Sequence, residues 1–233
     1  MDIQNKNRKL LKKNHVYHET MEHDACGVGL VASTEGLKSR KVVEYGIEAL
    51  KAVWHRGAID ADGKTGDGAG IHIEIPNDFF AEKIEITGHE HDNSDLCVGM
   101  IFLPRNDFGG QEQCRSIVES ELTKKNFNIY GWRQVPVDPS VLGEKAEQTR
   151  PEITQVLFTH NDKSIHGKDL ERALYETRRK IEKEALRNQL NNFYICSFSS
   201  KSIIYKGMFL AESLSDFYPC LLYTSDAADD SIR

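Results

Sequence analysis

Apolar residues recur every three or four positions over Lys41–Trp54. Val42, Val43, Ile47, Leu50 and Val53 alternate there with Glu44, Glu48 and Lys51. That spacing predicts an amphipathic helix, with Gly57 as its stop. The same period predicts a helix over Gln111–Lys125, turning Cys114, Ile117, Val118 and Leu122 inward. It is clearest over Asp169–Arg187, where Leu170, Leu174, Ile181 and Ala185 share one stripe and Glu176 and Lys180 stand at i,i+4 spacing. Other segments follow a period of two or run apolar without a break. Ile71–Ile75 alternates and predicts a half-buried strand closed by Pro76, with Asp78 placed to cap a short helix after it. Gly27–Ser33, Cys97–Leu103 and Gln155–Thr159 are short apolar runs that predict buried strands, and Phe127–Val137 predicts an extended segment with aromatic packing. Asn192–Phe198 and Ser202–Lys206, joined by a short Ser/Lys turn, predict a hairpin. Thr87–Asp95 and Leu142–Arg150 are polar, the first a loop and the second ending before Pro151. About six strands and roughly three or four helices in this order make an α+β layered domain.

Composition narrows the function classes. The 233 residues are 39% hydrophobic and 28% charged, with a mean hydropathy of −0.52. They can build a core, and no apolar run approaches a membrane span. A net charge of −6 with no evident basic face argues against nucleic acid as a partner. The five cysteines, Cys26, Cys97, Cys114, Cys196 and Cys220, are odd in number and contain no Cys-x-x-Cys. Neither a disulfide framework nor a zinc or iron–sulfur motif follows, and a reducing, cytoplasmic-type compartment is the simplest reading. The leader Met1–His23 is rich in Lys and Asn and lacks an apolar core, so it is not a secretory signal. A solvated propeptide fits it better than an organellar transit peptide, because Asp2 and Glu22 bracket it and it holds no serine.

Several residues could carry chemistry. Cys26 follows the small Ala25 at the mouth of the Gly27–Ser33 run. It reads either as a small buried core residue or as the first residue of a cleaved chain. In the second case thiol and free α-amine sit on one residue, and an amine of pKa about 7.7–8.0 can serve as base to the thiol. Thr65-Gly66-Asp67-Gly68-Ala69-Gly70 is glycine-rich but lacks the lysine and spacing of a phosphate loop. It reads as a tight loop feeding the Ile71 strand, with Asp67 either touching a substrate or holding the loop. His55 and Arg56 follow a helix and read as C-terminal charges opposing its dipole. Asp60 and Asp62 read as solvated loop carboxylates, and His89, His91, Asp92 and Asp95 as a polar loop rather than a metal cluster.

Five ordered groups of residues, from Glu22 to Pro219, resemble the amidotransferase domain of the glutamate synthase large-subunit family. They are Ala25-Cys26-Gly27-Val28-Gly29; Ala52–Ala58 with Asp60–Gly63 and Thr65–Ile71; Gly131-Trp132-Arg133-Gln134-Val135-Pro136-Val137-Asp138; Phe193–Ser200; and Ile204–Met208 with Phe217-Tyr218-Pro219. The resemblance implies the four-layer αββα sandwich of the N-terminal nucleophile hydrolases, incomplete here. It also implies that Cys26 becomes residue one once residues 1–25 are removed. Cys26 then attacks the side-chain amide of glutamine, forms a γ-glutamyl thioester and releases ammonia, and water frees glutamate. Gly27 would let backbone and substrate approach closely, Arg56 would stand near the active site, and Asp67 would line it. The ammonia would pass to a synthase domain of the same chain that makes glutamate from 2-oxoglutarate. That domain would carry FMN and an iron–sulfur cluster and take electrons from a pyridine nucleotide, a small electron-donating subunit or ferredoxin; none of these groups is expected on residues 26–219.

The likeness stops at Pro219. The family's later Arg-Tyr-Ser-Thr-like and His-Asn-Gly-Glu-like segments, implied to grip the glutamine carboxylate and stabilise the oxyanion, do not occur in the 233 residues. Residues 220–233 read as a non-native tail of translated adapter sequence. The fragment alone is therefore expected to hydrolyse glutamine poorly. The alternatives are another class II amidotransferase, disfavoured by the insertion between Thr87 and Thr159, and a non-catalytic module on the same scaffold.

Overall fold

The structure, a computed structural model, describes residues 6, 10, 27–36, 38–53, 59–89 and 95–223. Four antiparallel strands form the larger sheet in the order β3 (Phe127–Gln134), β4 (Glu152–His160), β2 (Leu96–Leu103), β5 (Tyr194–Ser199). A smaller sheet pairs β1 (Ala69–Glu74) with β6 (Ser202–Gly207). The helices are α1 (Arg40–Ala52), α2 (Asn77–Ile86), α3 (Phe108–Lys124), α4 (Glu144–Thr149), α5 (Gly167–Arg187), α6 (Leu214–Phe217) and α7 (Cys220–Tyr223). No helix among the described residues is long and apolar enough to cross a membrane.

β2 shows why two cores form. Its run is apolar at every position, so both faces need cover, and all but Phe102 are buried. Cys97, Ile101 and Leu103 turn toward α3 and α5, where they meet Val118, Leu122, Leu170 and Leu174. Leu96, Val98 and Met100 turn the other way, into a core shared with Ile203 and Tyr205 of β6, with Phe80 and Ile84 of α2, and with Tyr218. Gly99 lies between, where a Cβ would come within 2.7 Å of Val156 and 2.8 Å of Phe198. α1 packs against β1 with Gly46 over Ile71, while Gly70, His72 and Glu74 stay exposed. The order helix, sheet, sheet, helix is the expected α+β, αββα arrangement. Cys220 and Leu221, the first residues of the stretch read as a tail, are buried in the core between the sheets.

Four sequence expectations are corrected. Gly27–Ser33 lies outside both sheets, with Val28 and Leu30 about nine-tenths exposed (90% and 92%). The apolar run has no ladder partner among the described residues, and a strand exists only through its ladder. Asn192–Phe198 and Ser202–Lys206 do not pair as a hairpin: β5 pairs with β2 and β6 with β1. Serine hydroxyls intercept the backbone donors at the corner, Ser197 Oγ accepting from Ile204 N (3.2 Å) and Ser199 Oγ from Lys201 N (3.0 Å) and Ser202 N (3.3 Å). The Glu171 carboxylate of α5 then accepts from Ser199 Oγ, Ser200 N and Ser200 Oγ, pinning that corner. Asp78 caps nothing, since the α2 N-cap is Pro76 without a side-chain bond. Glu176 reaches across to Lys125 (3.4 Å) instead of along its helix to Lys180.

Candidate active site

The glycine-rich loop is shaped by backbone contacts rather than by a bound phosphate. Gly66 lies against residue 209, where a Cβ would sit 3.0 Å from the Phe209 carbonyl oxygen. Gly70 lies against β6, where a Cβ would sit 2.8 Å from Lys206 Cβ and 2.9 Å from the Tyr205 carbonyl oxygen. Gly68 has φ of 124°, a conformation that side chains rarely adopt. The sequence TGDGAG therefore encodes a close approach of two backbones, as a tight loop feeding β1 requires. Asp67, between these contacts, is exposed and stands in the wall of a cleft.

That cleft has a volume of about 1220 Å³ and opens where β1 and β6 leave the end of β2. A small-ligand pocket occupies roughly 300–1,000 Å³, so the space is larger than one amino acid needs. Its cationic side chains are constrained. Arg105 Nη1 and Arg150 Nε share the Glu147 carboxylate at 2.6 and 2.8 Å. Arg150 first, then Arg105, holds the Glu147 carboxyl below its usual range. Lys206 Nζ donates to Tyr194 Oη (2.7 Å) and lies 4.4 Å over that ring. Lys206 and Tyr194 fall within the motif groups Ile204–Met208 and Phe193–Ser200 and Arg105 and Arg150 in none, and only the fold gathers them at one cleft.

Of the four predicted site residues, the structure brings Asp67 to the cleft. Gly27 is exposed and lies outside the cleft's lining. Cys26 and Arg56 lie outside the described residues, as do Gly57, His91, Asp92 and the leader apart from residues 6 and 10. Asp60 and Asp62 are solvent-accessible loop carboxylates, as read, and they also hold local contacts: Asp60 pairs with Lys145 (2.5 Å), and Asp62 accepts from Lys64 N (2.9 Å), Thr65 N (2.7 Å) and Thr65 Oγ1 (2.6 Å). The Thr65 hydroxyl first, then the Thr65 and Lys64 amides, pull the Asp62 carboxyl down to about 2. Among the described residues no group of three or more His, Cys, Asp or Glu could hold a metal ion.

The other four cysteines sit in separate parts of the two cores, all buried and free. Desolvation pushes the Cys114 and Cys196 thiols up to about 11, and those of Cys97 and Cys220 upward as well. A thiol so raised is neither a good nucleophile nor a ready metal ligand near neutral pH.

Residues 26–228 match the family described as glutamine amidotransferases class-II. The chain is 54% identical over 216 residues to the glutamate synthase [NADPH] large chain of Azospirillum brasilense, covering 93% of this chain and 14% of that protein. It is 38% identical over 211 residues to the ferredoxin-dependent glutamate synthase 2 of Synechocystis sp., covering 89% and 13%. It is 38% identical over 225 residues to the chloroplastic ferredoxin-dependent glutamate synthase 2 of Arabidopsis thaliana, covering 94% and 14%. The chain thus spans about one seventh of the length of these relatives. The match begins at Cys26 and takes in both cores, the glycine-rich loop and the cleft, and with it the chain belongs to the class II glutamine amidotransferases.

Proposed function

We propose that this chain is the glutamine-hydrolysing part of a glutamate synthase. The observation that carries the reading is its 54% identity, over 93% of its length, to a glutamate synthase large chain. Cys26 is the nucleophile and, after loss of residues 1–25, its α-amine is the base. The thiol proton passes to that amine, sulfur bonds to the amide carbon of glutamine, and the C–N bond breaks as ammonia leaves with the proton; water then releases glutamate. The burial of the other four cysteines supports this assignment, because it leaves thiolate chemistry to Cys26. Gly27 gives the substrate room beside the nucleophile, Arg56 stands near it, and Asp67 touches glutamine from the cleft wall.

The ammonia goes to a synthase domain outside these residues, in a cytoplasmic protein, for addition to 2-oxoglutarate. FMN, the iron–sulfur cluster and the pyridine-nucleotide or ferredoxin donor belong to that domain. The described cysteines are too scattered to fit a cluster, and no step here runs through one.

The test is covalent trapping. A diazoketone analogue of glutamine is added to chain processed to begin at Cys26, and the adduct is located by peptide mass spectrometry. One adduct on Cys26, prevented by excess glutamine and absent from Cys26→Ala, is the expected result. No adduct on Cys26, or a native protein that still begins at Met1, overturns the reading.

A further inference from the structure

The loop that carries Asp67 has no regular ladder across it; Asp60 N donates to the Thr65 carbonyl oxygen and Gly63 N to the Asp60 carbonyl oxygen, both at 2.9 Å. Residues 59–68 contain Gly63, Gly66 and Gly68, and one isolated bridge, Ile59 to Gly66, joins its two sides. Glycines add conformational freedom that must be lost on ordering. A carboxylate at its tip adds to these backbone bonds. Asp62 closes the turn by accepting from the Lys64 and Thr65 amides and the Thr65 hydroxyl. The same carboxylate lies against Gly143, and the nearby backbone N–H of Glu144, the first residue of α4, helps to hold it in its charged form. The α4 N-cap, Gly143, offers no side-chain bond of its own, and Asp62, from another part of the chain, stands beside these N-terminal donors.

Gly143 fits this contact for a steric reason. Its φ of −76° suits any residue, but a Cβ there would collide with Asp62 Oδ2 and Thr65 Oγ1. Two further links cross the same seam, Lys145 Nζ to Asp60 Oδ2 (2.5 Å) and Lys64 Nζ to the Ser140 carbonyl oxygen (3.4 Å). Thr65 is thereby held in a buried position, and Gly70 is held by the ladder to Lys206. Asp67 stands between these two fixed points, in the cleft wall.

We propose that Asp62 is a positioning residue: by tying the glycine-rich loop to the start of α4, it sets where Asp67 stands in the cleft. The functional half of this inference rests on the amidotransferase reading, whereas the anchoring half does not.

Amide hydrogen exchange and NMR on the whole chain test the anchoring. Asp62→Asn is expected to speed exchange about tenfold at Lys64, Thr65 and Glu144 and through Gly66–Gly68, with β4 and α5 unchanged. Gly143→Ala, which displaces the same carboxylate from the other side, is expected to give the same footprint. Asp60→Asn, which removes only the Lys145 pair, is expected to leave Gly66–Gly68 unchanged. In the wild type the Thr65 and Glu144 amide shifts titrate near pH 2, and in Asp62→Asn they do not. Faster exchange at Glu144 alone, or spread evenly over β4 and α5, overturns the proposal. Trapping of Cys26 then reads function: Asp62→Asn and Asp67→Asn each raise the half-saturating concentration of the diazoketone analogue about fivefold or more, and the double variant raises it no further than either. Additive effects overturn the action through Asp67. Absence of trapping in the wild type sinks the amidotransferase reading, while the exchange footprint still decides the anchoring.

Discussion

The core beneath α3 and α5 and the core between the two sheets share β2, β4 and β5, and they are closed to different degrees. The first is mainly apolar: Phe127, Val156, Phe158 and Phe198 of the sheet meet Cys114, Val118, Leu170, Leu174 and Ile181 of the helices, and the buried Thr177 hydroxyl is satisfied within its own helix by the Ala173 carbonyl oxygen (2.7 Å). The second holds polar atoms. Tyr205 Oη accepts from Gln155 Nε2 (3.3 Å), and Gln155 Oε1 accepts from Arg133 Nη1 (2.7 Å). Its far end opens into the 1220 Å³ cleft, beside the glycine-rich loop. The closed core is built of packed side chains, and the open end presents exposed backbone and polar groups to the cleft. A packed apolar interior resists change, whereas a loop that must meet a ligand needs exposed backbone held by a few polar contacts.

The sharpest way to break that contrast is to cut the closed core. Phe158→Ala removes a fully buried ring that contacts Phe127 and Phe198, and is expected to cost about 3–5 kcal/mol in denaturant unfolding. Gly70→Ala acts on the open side. Its methyl group must displace the Tyr205 and Lys206 backbone, so a cost of about 1–3 kcal/mol is expected, with β1–β6 amides losing protection before those of β4. Acid separates the two regions without mutation. The folded Asp62 carboxyl lies below its usual value, at about 2. Its contribution is therefore complete above the unfolded value of about 4 and is lost as pH falls through about 2. Protection of Thr65 and Glu144 is expected to fall in that window while β4 remains protected. The smallest effect lies on the helix surface. Arg187→Ala removes an exposed i,i+3 pair with Glu184 and is expected to change stability by about 0.5 kcal/mol or less.

Much of the closed core was legible along the chain. The stripes of Gln111–Lys125 and Asp169–Arg187 are helices α3 and α5, with Cys114, Val118, Leu122, Leu170, Leu174, Ile181 and Ala185 buried. The runs Cys97–Leu103 and Gln155–Thr159 lie in β2 and β4. A stripe or a run is a local property, and burial of one whole face follows from it directly. The open end was less legible. Asp67 stands out along the chain because three glycines bracket it at short range, whereas the approach of Asp62 to Gly143 joins positions remote in sequence.

The sequence by itself determined the longer helices, the six paired strands, the α+β class, the apolar faces and, through ordered motifs, the family. Local periodicity and turn chemistry suffice for these, because each depends on residues within a few positions of one another. Only the tertiary structure decided that β5 and β6 part into different sheets, that Gly27–Ser33 lies outside both, and that Arg105, Arg150 and Lys206 meet Asp67 around one cleft. Which strand a free edge finds, and which side chain satisfies a remote amide, depends on competition among partners distant in sequence. Such pairings carry no periodic mark, and they are settled when the donors and acceptors of the whole chain must all be satisfied at once.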